Sequence, residues 1–101
     1  MWVIVMYDLP VDTKKAREAY RKFREGLLWD GFTMLQYSVY ARHSPSIESA
    51  EVHVKLVKNS VPEDGEVRII IFTDKQFERM QVFEGKMRKA TEKAPEQISF
   101  F

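Results

Sequence analysis

Trp2-Val3-Ile4-Val5-Met6-Tyr7 is an unbroken apolar run, rich in β-branched residues, that stops at the carboxylate of Asp8. A run with no polar alternation predicts a strand covered on both faces, so the chain must build layers on both sides of it. Leu9-Pro10-Val11-Asp12 then turns the backbone. Asp12 or Thr13 can cap a helix reaching about Leu28. Ala16, Tyr20, Phe23 and Leu27 recur at spacings of four, three and four, which makes one core-facing stripe. Trp29-Asp30-Gly31 ends that helix, with Gly31 supplying the turn.

Phe32 to Arg42 is a second extended stretch, with Phe32, Met34, Gln36, Ser38 and Tyr40 on one side and Thr33, Leu35, Tyr37, Val39 and Ala41 on the other. It is long for one strand, and a bend near Gln36-Tyr37 would divide it in two. After the turn His43-Ser44-Pro45-Ser46, Ser46 can cap a second helix with Ile47, Ala50, Val54 and Val57 on one face and Glu51–Lys55 as a surface pair. Pro62-Glu63-Asp64-Gly65 closes it, and Glu66 to Thr73 contains the strand-like run Ile69-Ile70-Ile71-Phe72. Asp74 to Arg79 reads as one helical turn and Met80 to Glu84 as a short strand. Residues 86–96 are charged and read as an irregular connection before the apolar Ile98-Ser99-Phe100-Phe101, which wants a sheet edge to pair with. The expected division is therefore a body over 1–85 and a linker with an edge strand over 86–101.

The order β, α, β(β), α, β predicts an α+β, ferredoxin-like sandwich with both helices on one sheet face and an extra C-terminal strand. The other face would be left apolar, and a homodimer joined through the two sheet faces would bury it. One hundred and one residues suffice for one such domain. With no cysteine, a disulfide framework, a thiolate nucleophile and a Cys-based zinc site are all excluded. The apolar N-terminus is too short to cross a bilayer and lacks a basic flank, so no membrane partner and a cytoplasmic location are expected.

Formal net charge is +1, yet six cations (Lys14, Lys15, Arg17, Arg21, Lys22, Arg24) lie between Asp12 and Glu25 against three acids. Lys14–Glu18 and Arg21–Glu25 can pair along the helix; Lys15, Arg17, Lys22 and Arg24 are left for phosphates. Arg42 and Arg79, at strand and turn ends, are further candidates for nucleic-acid contact. An acid delivered by a buried strand beside a basic helix suits a divalent cation held near a phosphate backbone, although Asp is also an ordinary turn residue. His43 and His53 are the only histidines, one in a turn and one on a helix, and neither sits where a general base is wanted.

Tyr7-Asp8-Leu9-Pro10 with Asp12, then Gln36-Tyr37-Ser38-Val39-Tyr40 after Gly31, and later Thr73-Asp74-Lys75-Gln76-Phe77, in that order over the whole chain, resemble the CRISPR-associated protein 2 family. Arg21-Lys22-Phe23-Arg24 followed by Gly31-Phe32 is most similar to members from systems with a single large RNA-guided nuclease (type II). The resemblance implies a ferredoxin-like homodimer with exchanged C-terminal strands, here carried by Ile98, Phe100 and Phe101. It further implies a subunit of spacer acquisition that bridges pairs of the CRISPR-associated integrase over double-stranded DNA. Some members are described as Mg²⁺-dependent endonucleases on single-stranded RNA or double-stranded DNA. The residue matching their magnesium-binding, catalytic aspartate is Asp8, and Arg17 matches a basic residue placed near it. The arginine that some members carry just before the Gln-Tyr-Ser-Val motif is replaced here by Met34-Leu35. Three readings stand: an adaptor for duplex DNA, an Asp8-dependent endonuclease, and a toxin-like ribonuclease of the virulence-associated protein D type.

Overall fold

The computed structural model describes residues 1–95. Its elements are β1 (Trp2–Asp8), α1 (Lys14–Trp29), β2 (Thr33–Gln36), β3 (Val39–His43), α2 (Ile47–Asn59), β4 (Glu66–Phe72), α3 (Asp74–Glu78), β5 (Val82–Glu84) and β6 (Met87–Lys89). Four strands form one antiparallel sheet in the order β2-β3-β1-β4, and β5 and β6 form a separate hairpin. The first run is thus interior in two senses. It pairs with β3 on one side, Trp2 opposite His43, and with β4 on the other, Asp8 opposite Glu66.

Both of its faces are covered. Val3, Val5 and Tyr7 pack with Phe23 and Leu27 of α1, Ala50 and Val57 of α2, and Phe32 and Tyr40. Trp2 and Ile4 pack on the opposite face with Ala41 and Phe77, flanked by Met6, Leu35, Val39, Phe72 and Ala94. Each Val or Ile so buried contributes about 1.5–3 kcal/mol, which makes β1 the main stabilising element of the domain. Both helices lie on the Val3–Val5–Tyr7 face, so the βαββαβ order closes into the expected ferredoxin-like sandwich.

Local chemistry explains the boundaries. Thr13, rather than Asp12, caps α1 by accepting from the Ala16 N–H at 3.0 Å, and Ser46 caps α2 from Ser49 at 3.1 Å. Gly31 sits at φ +86°, and a Cβ there would run into the guanidinium of Arg42, so that position requires glycine. The long extended stretch breaks at Tyr37-Ser38, with Ser38 at φ 64° and a register shift between Met34 and Gln36. The Ser38 carbonyl accepts from the Tyr7 N–H at 3.0 Å, which pins the tip of this hairpin to the end of β1. Thr73 and Gln76 form a reciprocal capping box at 2.9 and 3.1 Å that sets the single turn of α3.

Three expectations need correction. The stretch from residue 86 does not begin as an irregular connection: Met87–Lys89 pair with Val82–Glu84 about a turn at Gly85. Ile47 is exposed, because α2 turns Ala50 and Val57 inward and leaves its first residue outside the contact. The second sheet face is not bare at its Trp2 end, where the Phe77 ring stacks on Trp2 at 4.1 Å and 11°. Residues Ile98, Phe100 and Phe101 lie outside the described residues.

Phe77 is 1% exposed and holds a five-residue helix to the sheet through that stack. Phe77→Ala is expected to cost about 3–5 kcal/mol of unfolding free energy, as for other buried phenylalanines. Chemical denaturation monitored by Trp fluorescence would measure it; a loss under about 1 kcal/mol would mean that α3 does not contribute to the core.

Candidate nucleic-acid interface

The antiparallel register gathers one end of the sheet around Asp8. That end holds Asp8, the Tyr37-Ser38 tip and the start of β4. Met6, Asp8, Ser38, Val39, Glu66 and Arg68 line a shallow groove of ≈ 250 Å³ there, edged by Tyr37. The Asp8 carboxylate is exposed and makes no ion pair or side-chain hydrogen bond among the described residues, whereas its cross-strand neighbour Glu66 accepts from Arg68 Nε at 2.6 Å. Directly opposed like charges repel; the Arg68 guanidinium offsets that here.

A divalent cation fits this end only in part. Among the described residues no group of three His, Cys, Asp or Glu could hold a metal ion. The chain offers the Asp8 oxygens, with Glu66 opposite but already engaged. A hard ion such as Mg²⁺ accepts one or two carboxylates when water and phosphate oxygens complete its shell, so the donor chemistry is right and the count is short. The histidines are elsewhere. His43 Nε2 lies 3.0 Å from Asp74, which also receives the Met1 ammonium at 2.7 Å. The Met1 ammonium, and then His43, hold the Asp74 carboxyl below its usual pKa against the opposing effect of burial. His53 Nδ1 lies 2.8 Å from Asp30. His43 pairs with Trp2, six residues from Asp8 along β1 and so about 20 Å away, too far to serve as its base.

The cations divide into three places. At 3.6 residues per turn, the core stripe of α1 leaves the opposite arc to Lys14, Lys15, Arg17, Arg21, Lys22 and Arg24, all exposed. Lys15 and Lys22 fall on one flank, and Arg17, Arg21 and Arg24 on the other. Arg21 pairs with Glu25 at 3.2 Å, Arg17 donates to the Val11 carbonyl at 3.2 Å, and Arg24 Nε donates to the Tyr40 hydroxyl at 3.0 Å. Arg79 is exposed but follows α3, at the far end from Asp8. Arg42 is half-buried and already engaged within the fold. It donates to the Asp30 carbonyl, its Nε is buried without a partner, and its guanidinium seals the end of α1. Its place opposite Val3 on the helix-covered face, invisible in the linear chain, is the reason.

One constellation was not legible residue by residue. All four tyrosines converge: the Tyr7 ring lies 5.7 Å from Tyr20 and 5.9 Å from Tyr40, and Tyr37 adjoins Tyr20. Burial, then the neighbouring phenols of Tyr20 and Tyr40, push the Tyr7 hydroxyl far above its ordinary pKa, and that hydroxyl is buried without a hydrogen-bond partner among the described residues. Tyr7 therefore serves packing and is no proton donor. A larger depression of ≈ 480 Å³ lies between the β1–α1 turn and Pro62-Glu63-Asp64; its walls carry Lys15 against Asp12, Glu63 and Asp64 and so are net negative.

With this geometry in view, comparison with known proteins is direct. A family model described as CRISPR associated protein Cas2 matches residues 1–80. A relative named CRISPR-associated endoribonuclease Cas2, from Parvibaculum lavamentivorans, is 58% identical over 101 residues, covering 100% of both chains. A protein of the same name from Flavobacterium psychrophilum is 45% identical over 100% of this chain and 88% of its own. Another, from Streptococcus mutans serotype c, is 38% identical over 85% of this chain and 79% of its own. The family model matched over residues 1–80 and these likenesses, on the sandwich described above, make this chain a member of the CRISPR-associated Cas2 family.

Proposed function

We propose that the chain works as a homodimeric subunit of CRISPR adaptation that grips the backbone of a DNA duplex and spaces integrase subunits around it, in the cytoplasm. The observation that carries this reading is the solvent arc of α1, where Lys14, Lys15 and Lys22 have no anionic partner among the described residues. Such charges bind phosphate without reading sequence, which is what a subunit that must accept any inserted DNA needs. The open sheet face supports the dimer. Ile4, Met6, Leu35, Val39, Ile70 and Phe72 line an apolar groove of ≈ 320 Å³ there, and Ile70 is 41% exposed although it sits in the central part of β4. In this reading residues 1–85 form the body, and the segment 86–101 extends it toward a partner with Ile98, Phe100 and Phe101. Among the described residues no helix is long and apolar enough to cross a membrane.

A second reading is a Mg²⁺-dependent endonuclease on RNA or DNA, favoured by the uncommitted Asp8 carboxylate in its groove and by the names its relatives carry. Asp8 would hold the ion, one from each protomer. Bound there, the ion would supply Lewis-acid activation of water and of the scissile phosphate. The N-terminal cations of α1 would do the rest, orienting the backbone and neutralising its charge. Among the described residues no histidine stands ready as general base at this end, which favours the binding role over hydrolysis.

Two outcomes follow. Joint substitution Lys15→Ala and Lys22→Ala should flatten the plot of log K for duplex DNA against log salt by about 0.9 for each phosphate no longer neutralised, whereas Arg42→Met should lower Tm and leave that slope alone. Fluorescence anisotropy across a salt series reads both, and an unchanged slope in the lysine variant would refute the α1 interface. Asp8→Ala should abolish any cleavage of labelled RNA or DNA while duplex affinity stays within about twofold, as for other surface changes. Cleavage that survives this substitution eliminates the endonuclease reading; duplex binding lost in a folded Asp8→Ala protein eliminates the adaptor.

A further inference from the structure

Among the described residues Tyr37 is the one aromatic at the Asp8 end that the core does not claim: 84% of it is exposed. The turn does not need it, since Ser38 carries the positive φ and its carbonyl holds the tip to Tyr7. The neighbouring Tyr20 phenol raises the pKa of Tyr37. Tyr20 in turn packs against Tyr7 at 5.7 Å, edge to face. The ring is therefore an exposed platform beside a packed tyrosine cluster. On one side of it lies the Asp8 groove. Near the ring stands Arg24, whose Nε donates to the Tyr40 hydroxyl at 3.0 Å while the terminal nitrogens of its exposed guanidinium make no hydrogen bond among the described residues.

We propose that Tyr37 is a stacking residue for an unpaired nucleotide, whose base lies on the phenol ring while the adjacent phosphate is held by Arg24 and the strand continues past Asp8. This deepens the nucleic-acid reading above and rests on it. The chemistry selects a single strand or a frayed duplex end. Inside a duplex both faces of each base are already stacked, so a lone ring at a hairpin tip has nothing to receive; an unpaired base offers its whole face. Recognition is tolerant of sequence, because every base has such a face, and the cation nearby adds backbone attraction.

The test uses the full chain and two probes of equal length: a single-stranded oligonucleotide carrying 2-aminopurine and a blunt duplex. Tyr37→Ala should weaken the single strand about tenfold and the blunt duplex less than about twofold, with Tyr37→Phe close to wild type on both. Quenching of 2-aminopurine should be present with wild type and Tyr37→Phe and absent with Tyr37→Ala. Arg24→Gln should reduce the single-strand salt slope by about 0.7. Equal losses on both probes, or none, overturn the inference and leave the duplex interface standing. A change in oligomeric mass by light scattering that accompanies the loss also overturns it, by assigning the ring to contact between copies. Wild-type protein that binds neither probe defeats this inference and the interface reading together.

Discussion

Pairing of β1 on both edges, with burial on both faces, is the constraint from which the rest of the molecule follows. An interior strand leaves no backbone N–H or C=O to solvent, and its side chains tie the helix layer to the opposite face of the sheet. Val3 and Val5 are fully buried, and Trp2, Ile4 and Tyr7 nearly so. Because the strand is so completely committed, its last residue is paired opposite Glu66 even though its own side chain has no partner among the described residues. Asp8 is thus an exposed carboxylate on a fixed mount, which a loop aspartate is not.

The same constraint separates structural charge from available charge. At the Trp2 end, Arg42, Asp30 and His53 bind one another around the end of α1, and Met1, His43 and Asp74 do so beside α3. Those groups hold the ends of elements together and are spent. At the other end Asp8 has no ion pair among the described residues, and α1 begins six residues further along the chain. A helix whose inner stripe is aromatic and whose outer arc is cationic packs and presents at once. The charges cost little there, because the exposed arc is already solvated.

Much of this was legible. An unbroken apolar run needs cover on two faces, whatever the partners are, and a four-three-four stripe can only be the inner side of a helix; so β1, α1 and their order with the later elements followed directly. The resemblance carried by Tyr7-Asp8-Leu9-Pro10 and Gln36-Tyr37-Ser38-Val39-Tyr40 fits the matched family. The chain was less readable where a residue's role depends on register. Arg42 is an ordinary surface arginine by sequence neighbourhood, and becomes an interior clamp because β3 sets it opposite Val3. Met87–Lys89 look like linker, since a three-residue polar strand has no periodicity to detect, and they pair because Gly85 turns them back on β5.

By itself the amino-acid sequence determined the layers, the central strand and the concentration of positive charge on one helix, since hydrophobic period and charge spacing are local quantities. Tertiary structure alone decided which polar groups are free. It brought Asp8, Glu66, Arg68 and Tyr37, which lie far apart in the chain, to one end of the sheet, and took Arg42 and both histidines away from it. Availability depends on what stands within a few ångströms, and antiparallel pairing assigns those neighbours across dozens of intervening residues.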